Sequence, residues 1–132
     1  MPELEPPSPV RRSILIVDDD LTIIETFSRY LTLEGFRVLK ALDVDTGLRH
    51  VDSNQPNAVI LDLRMPLRDG LQFLRAFRAK DGHAHTPVAI VTGDYFLDDM
   101  IAHEIRSLGA LLRFKPLWLE DLVALARQLL KG

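Results

Sequence analysis

The 132-residue sequence contains no cysteine, which excludes disulfides and thiolate metal sites and leaves the redox compartment unspecified. It has no apolar run of the length a bilayer crossing needs, and its first residues lack the apolar core of a signal peptide. Basic residues are not in excess. The formal charge is −3, and Arg11 with Arg12 is too small a cluster to hold a phosphate backbone, so neither direct nucleic-acid binding nor membrane insertion is expected. A cytoplasmic location fits these absences. The four histidines show no metal-binding spacing; His83 and His85 stand in a loop-like stretch with Gly82, Thr86 and Pro87. Internal repeats and low-complexity segments are missing too. What is present is a 47% apolar composition, enough for one domain to bury a core without staples.

Residues 1–11 carry Pro2, Pro6, Pro7 and Pro9 among acidic and small residues, a composition that disfavours helix and strand and reads as a flexible tail. From Arg12 to Gly132, apolar strands alternate with helical patterns, the signature of repeated βα units and a parallel sheet. The strands read as Ile14 to Val17, Arg37 to Leu39, Ala58 to Leu61, Val88 to Val91 and Leu111 to Phe114. The first helix begins near Leu21, turns Ile24, Phe27 and Leu31 inward, and stops at Gly35. Asp45 can cap a second helix carrying Leu48 and Val51. After Gly70 comes a helix with Leu71, Leu74 and Phe77 inward. A fourth helix buries Leu97, Ile101, Ile105 and Leu108 before Gly109, and a fifth presents Leu119, Leu122, Val123, Ala126, Leu129 and Leu130 as one stripe.

Four of these strands end in polar groups: Asp18 and Asp19, then Asp62, Thr92 and Lys115. In an open parallel sheet, ligands sit in the crevice beyond the carboxyl ends of the strands, so these groups would line one site. Asp62 is the centre of that pattern, following Ala58-Val-Ile-Leu61 and preceding Met65, Pro66 and Gly70. An aspartate after a strand is ordinarily a cap or turn residue, which is the reading for Asp69 and equally open for Asp20. Thr92 alone would be a turn hydroxyl and Lys115 alone a solvated charge. Their shared edge, with partners on the neighbouring strands, favours a site instead.

From Arg12 to Lys131 the chain resembles the receiver domain of two-component response regulators. The resemblance is carried by Val17-Asp18-Asp19-Asp20, by Asp62-Leu-Arg-Met65-Pro66-Leu-Arg-Asp69-Gly70, by Thr92-Gly93 and by Lys115-Pro116, in that order at strand ends. It implies a flavodoxin-like, doubly wound (βα)5 sandwich with parallel strands in the order 2-1-3-4-5. It also implies that Asp62 is the phosphoacceptor and that Mg²⁺ is held by Asp18, Asp19, Asp62 and the backbone carbonyl of Arg64. Thr92 and Lys115 would be the hydroxyl and ammonium that meet the phosphoryl oxygens, and Lys115-Pro116 is a candidate cis peptide. The implied partners are a histidine kinase or histidine phosphotransfer protein and a downstream protein target. A homodimer through the fourth helix, fifth strand and fifth helix is one arrangement the resemblance allows.

Position 112 departs from the pattern. Many receivers carry Tyr or Phe three residues before the lysine, where this chain has Leu112, and the stretch from Gly109 to Lys115 is one residue short. Activation is therefore expected to shift the fourth helix and fifth strand through Thr92 without an aromatic gate. Tyr95, Phe96 and Trp118 read as exposed loop residues or as a partner surface. Phosphohydrolases of the haloacid dehalogenase type also use an aspartate nucleophile, but they place a second aspartate two residues later, where this chain has Arg64; a phosphoacceptor domain, not an enzyme, is expected. A degenerate receiver that binds a partner without phosphorylation is the alternative. A nucleotide-binding domain is disfavoured because no glycine-rich phosphate loop follows the first strand. No output domain follows Gly132 in this sequence, so the effect is expected through protein contact, onward transfer, or a domain outside it.

Overall fold

The computed structural model describes residues 11–131, so the proline-rich residues 1–10 and Gly132 lie outside the described residues. Five strands, β1 (Ser13–Val17), β2 (Arg37–Ala41), β3 (Ala58–Asp62), β4 (Val88–Thr92) and β5 (Leu111–Phe114), alternate with five helices. These are α1 (Leu21–Leu33), α2 (Val44–Asn54), α3 (Gly70–Arg78), α4 (Asp99–Ser107) and α5 (Leu119–Leu129). All pairings are parallel and the strand order is 2-1-3-4-5, the doubly wound sandwich that the sequence predicts.

Every residue of β1, β3 and β4 is buried, which is why these strands read as unbroken apolar runs. Alternate side chains feed two separate cores. Leu15, Val17, Val59, Leu61 and Ile90 pack with residues of α2, α3 and α4, including Val51, Phe73, Phe77 and Ile105. Ile14, Ile16, Ile60, Ala89 and Val91 pack with Ile24 and Leu31 of α1 and with Leu122, Ala126 and Leu129 of α5. The period of two along each strand and of 3.6 along each helix thereby fixes both layers.

Carboxylates start four of the five helices. Asp20 accepts from the amides of Thr22 and Ile23, and Asp98 accepts from Met100. Asp69 and Gln72 form a reciprocal capping box on α3. The second cap corrects the sequence reading, because Asp43 accepts from the Thr46 amide while Asp45 lies within the first turn of α2 and pairs with Arg68 at 2.6 Å. Both residues suit a helix start, and only the extended backbone of Asp43 (φ −153°, ψ 168°) meets the geometry of a cap. Phe73 and Phe77 are fully buried, whereas Phe27 is half-buried. Leu97 packs on the core from the turn before α4 and not from the helix itself.

Gly70 is required by the end of β3. Its amide donates to the Leu63 carbonyl at 2.8 Å, and a Cβ there would collide with the Asp62 carbonyl oxygen and lie 3.0 Å from Leu63 Cα. Backbone atoms cannot yield as a flexible side chain can. Gly70→Ala is therefore expected to destabilise the domain by roughly 2–4 kcal/mol in denaturant unfolding; a change within about 0.5 kcal/mol would show that the turn relaxes freely.

Candidate functional site

The strand order reverses between β1 and β3, and the carboxyl ends of these two strands bring Asp18 and Asp62 together. Asp18 follows β1 directly; its amide donates to the Ala41 carbonyl at 3.1 Å and one carboxylate oxygen accepts from the Asp20 amide at 2.9 Å. Asp62 is the last residue of β3 and Thr92 the last of β4, and both are buried. Lys115 follows β5, with its amide donating to the Thr92 carbonyl at 2.8 Å. Its ammonium lies 3.4 Å from Asp18 Oδ2 and 3.6 Å from Asp62 Oδ1. The Lys115-Pro116 bond is cis.

Asp18, Asp19 and Asp62 each offer a carboxylate oxygen to one point, these oxygens lying within 4.8 Å of one another. One ammonium faces three carboxylates. Burial is the main cause that pushes the carboxyl of Asp62 above its ordinary value, with the charges of Asp18 and Asp19 adding to it and Lys115 and the Arg64 amide opposing it. Asp18 is raised for the same leading reason, against the opposing pull of the Asp20 amide and Lys115. Hard oxygen donors left with uncompensated negative charge suit a small divalent cation such as Mg²⁺. The donor set therefore fits the ion the sequence implies.

Side chains on the flanking turns close the mouth. Arg64, two residues beyond Asp62, reaches Asp94 at 2.8 Å, and the Asp94 amide in turn donates to Thr92 Oγ1 at 3.1 Å. That ion pair holds the carboxyl of Asp94 below its ordinary value. The crevice is part of a largely apolar recess of about 350 Å³, in which Asp18, Asp62 and Lys115 share the wall with Phe27, Tyr95 and Leu117. Leu112 stands in register with Ile90 and is half-buried against the α2–α4 core; the β5 residue in register with Thr92 is Phe114. Asp94 and Phe114 are neighbours the sequence reading left without a role, and Tyr95, read there as an exposed loop residue or a partner surface, stacks on Phe114. The signal for Asp94 was its place two residues after Thr92.

His83 is buried, stacked on Phe77, with its ring nitrogens 2.8 Å from Thr86 Oγ1 and 2.7 Å from Gln55 Oε1. Among the described residues, no helix is long and apolar enough to cross a membrane.

Fold and geometry together define a flavodoxin-like (βα)5 domain with an acidic, lysine-bearing crevice at its switch point. A family model for the response regulator receiver domain matches residues 14–127, and the chain belongs to that family, the receiver module of two-component systems. Transcriptional regulatory protein PrrA of Mycobacterium bovis is 36% identical over 118 residues, covering 89% of this chain and 49% of that protein. Response regulator MprA of Mycobacterium sp. strain KMS is 35% identical over 123 residues, covering 93% and 51%. The chain thus spans about half the length of these relatives. Among solved structures, chemotaxis protein CheY4 of Vibrio cholerae superposes with a TM-score of 0.83 at 25% identity, covering 91% of this chain and 99% of that one. A response regulator receiver protein from Pseudomonas putida gives 0.81 at 27% identity, covering 90% and 98%.

The raised carboxyls of Asp18 and Asp62 carry a sign for stability. Above 3.8 the folded state keeps protons that the unfolded chain has released, so the stability these groups contribute is present at low pH and lost as pH rises through their folded values. In metal-free protein, Asp62→Asn is expected to raise the unfolding free energy at neutral pH and to weaken this pH dependence. A variant less stable than the parent under those conditions would contradict the repulsion.

Proposed function

We propose that this receiver takes a phosphoryl group onto Asp62 from a histidine kinase or a histidine phosphotransfer protein, with Mg²⁺, and thereby changes its affinity for a downstream protein. The observation that carries this reading is the placement of Asp62 between Asp18 and Lys115 at the bottom of the crevice. Membership of the receiver family supports it.

The chemistry assigns a task to each group. An Asp62 carboxylate oxygen attacks phosphorus, forming a P–O bond as the P–N bond to the donor imidazole breaks, and the electron pair leaves on that nitrogen, which solvent protonates. Asp18, Asp19, Asp62 and the Arg64 carbonyl would hold Mg²⁺, which when bound would supply positive charge for the phosphoryl oxygens. Lys115 exchanges its carboxylate partners for a phosphoryl oxygen, and Thr92 donates its hydroxyl to another. Arg64 occupies the place where an acid for rapid hydrolysis would stand, so the aspartyl phosphate is an end state of signalling and not an intermediate of turnover.

We read residues 12–132 as the working domain and residues 1–11 as a tail. A homodimer through α4, β5 and α5 would use a surface that already exposes Phe114 and Met100. The same exposed side chains, with Phe96 and Trp118, suit a partner contact, which in the alternative of a degenerate receiver would form without phosphorylation.

Mg²⁺ should bind only the folded chain. At a concentration about 100 times its dissociation constant it is expected to add about 2.7 kcal/mol to the unfolding free energy. Asp19→Asn should abolish that response; an Asp19→Asn protein that answers Mg²⁺ as the parent does would remove Asp19 from the ligand set. Intact mass after incubation with acetyl phosphate and Mg²⁺ tests the transfer itself. One added phosphoryl group is expected in the parent and none in Asp62→Asn or without metal. No addition to the parent from either acetyl phosphate or phosphoramidate would favour the binding module.

A further inference from the structure

The turn between β4 and α4 joins the two sides of the crevice through Asp94 and Tyr95. The Asp94 amide donates to Thr92 Oγ1 at 3.1 Å, while its carboxylate receives Arg64 Nη2 at 2.8 Å and the Phe96 amide at 3.1 Å. One residue on, the Tyr95 ring stacks on Phe114 with centroids 5.8 Å apart and planes at 21°, and its hydroxyl donates to the Lys115 carbonyl. The Lys115 amide returns to the Thr92 carbonyl. These contacts close a ring that runs from the residue two beyond Asp62, through the turn, to the backbone of Lys115 and back to Thr92. We propose that Tyr95 is a positioning residue of the phosphoryl site: a brace, held in place by the Arg64–Asp94 pair, that sets the Lys115 backbone and passes the state of the crevice to the exposed edge of β5.

The weakest link decides how the brace responds. The Arg64–Asp94 pair is half open to water, with side chains 53% and 30% exposed, and an ion pair of that kind contributes little to stability. A phosphoryl group on Asp62 carries more negative charge than the Asp94 carboxylate and offers three acceptor oxygens two residues from Arg64. Arg64 is drawn to it, and the same group draws the Thr92 hydroxyl away from the Asp94 amide. Asp94 then loses two of its three holds, and Tyr95 loses the support that keeps it on Phe114. Tyr95 and Phe96 already stand 62% and 96% exposed, so these two residues can move while Leu97, next along the turn, keeps its packing on the core. Leu112 takes no part, being packed against the α2–α4 core.

This inference rests on the phosphoacceptor reading, and its test separates the two. The chain has two tyrosines, Tyr30 and Tyr95, so the full chain labelled with 3-fluorotyrosine gives two fluorine signals, assigned with Tyr95→Phe. Arg64→Ala and Asp94→Asn are each expected to move the Tyr95 signal in protein without ligand, leaving the Tyr30 signal in place as a control for folding. Mg²⁺ with beryllium fluoride should move it in the same direction in the parent and not in Asp62→Asn. Tyr95→Phe, which keeps the stack and loses the hydrogen bond, should slow phosphoryl uptake from acetyl phosphate about three- to tenfold, and Tyr30→Phe should not. A Tyr95 signal unmoved by both Arg64→Ala and Asp94→Asn overturns the brace, whether or not the parent is phosphorylated. A signal that moves in both variants while the parent takes up no phosphoryl group upholds the brace and overturns the phosphoacceptor reading instead.

Discussion

One ammonium among three carboxylates, set at the edge of a sheet whose central strands are buried on both faces, is the constraint on which the rest of the molecule depends. Burial and mutual repulsion keep the carboxyls of Asp18 and Asp62 above their ordinary values, so the native state holds charge that it would be more stable without. The fold can hold it because the two cores, centred on Phe73 with Phe77 and on Ile24 with Leu122, lie below the edge and do not depend on it. Lys115 relieves part of the repulsion at 3.4 and 3.6 Å, distances longer than a close ion pair. Space and charge are thereby left for a cation and an incoming anion.

The same constraint explains why the backbone around Asp62 is so closely specified. The turn after β3 must carry the chain from a buried carboxylate to a helix start within a few residues, and Gly70 admits the approach of the Asp62 carbonyl while Asp69 and Gln72 satisfy the first amides of α3. A Cβ at residue 70 would push on the carbonyl of the very residue whose side chain is charged. Geometry and chemistry are held by adjacent atoms. Leu67 departs from the local rule here, with φ +69° in a side chain that is fully exposed, and nothing in its contacts accounts for that choice of residue.

The strands and the gathering of Asp18, Asp62, Thr92 and Lys115 at one edge were legible in the sequence because each answered to one dominant force. Central strands buried on both faces leave unbroken apolar runs, and polar groups gathered on one edge of several such strands favour a site where any one of them alone would read as a cap, a turn or a solvated charge. The second helix cap was misread because Asp43 and Asp45 are chemically equal candidates and only backbone torsion separates them. His83 was set aside as a loop residue; its burial depends on Phe77, Thr86 and Gln55, contacts for which no local pattern exists. Tyr95 and Phe114 are nineteen residues apart in the sequence, and only the register of β4 against β5 brings them together. Long-range packing of single side chains is the part of the fold that periodicity does not encode.

The two ends of α4 are held with unequal strength, and the difference follows from which groups are buried. At its carboxyl end the half-buried Arg78 guanidinium donates to the Leu108 carbonyl at 2.7 Å and to the carbonyls of His83 and Thr86 at 2.9 and 2.6 Å, joining helix end and β4 approach through one cation. Burial lowers the ordinary value of that guanidinium, yet it stays charged throughout the working range, so the clamp does not respond to pH. Midway along, Arg75 meets Glu104 in a two-pronged pair at 2.5 and 2.6 Å. The amino end is held by the Asp98 cap, the half-exposed Arg64–Asp94 pair, the Tyr95 stack with its hydrogen bond to the Lys115 carbonyl, and the partly buried Leu97. A helix clamped at one end and lightly held at the other gives way at the light end, where few buried contacts oppose local opening. That end lies beside Thr92, so the more lightly held end of α4 is the one that first meets any change in the charge of the crevice.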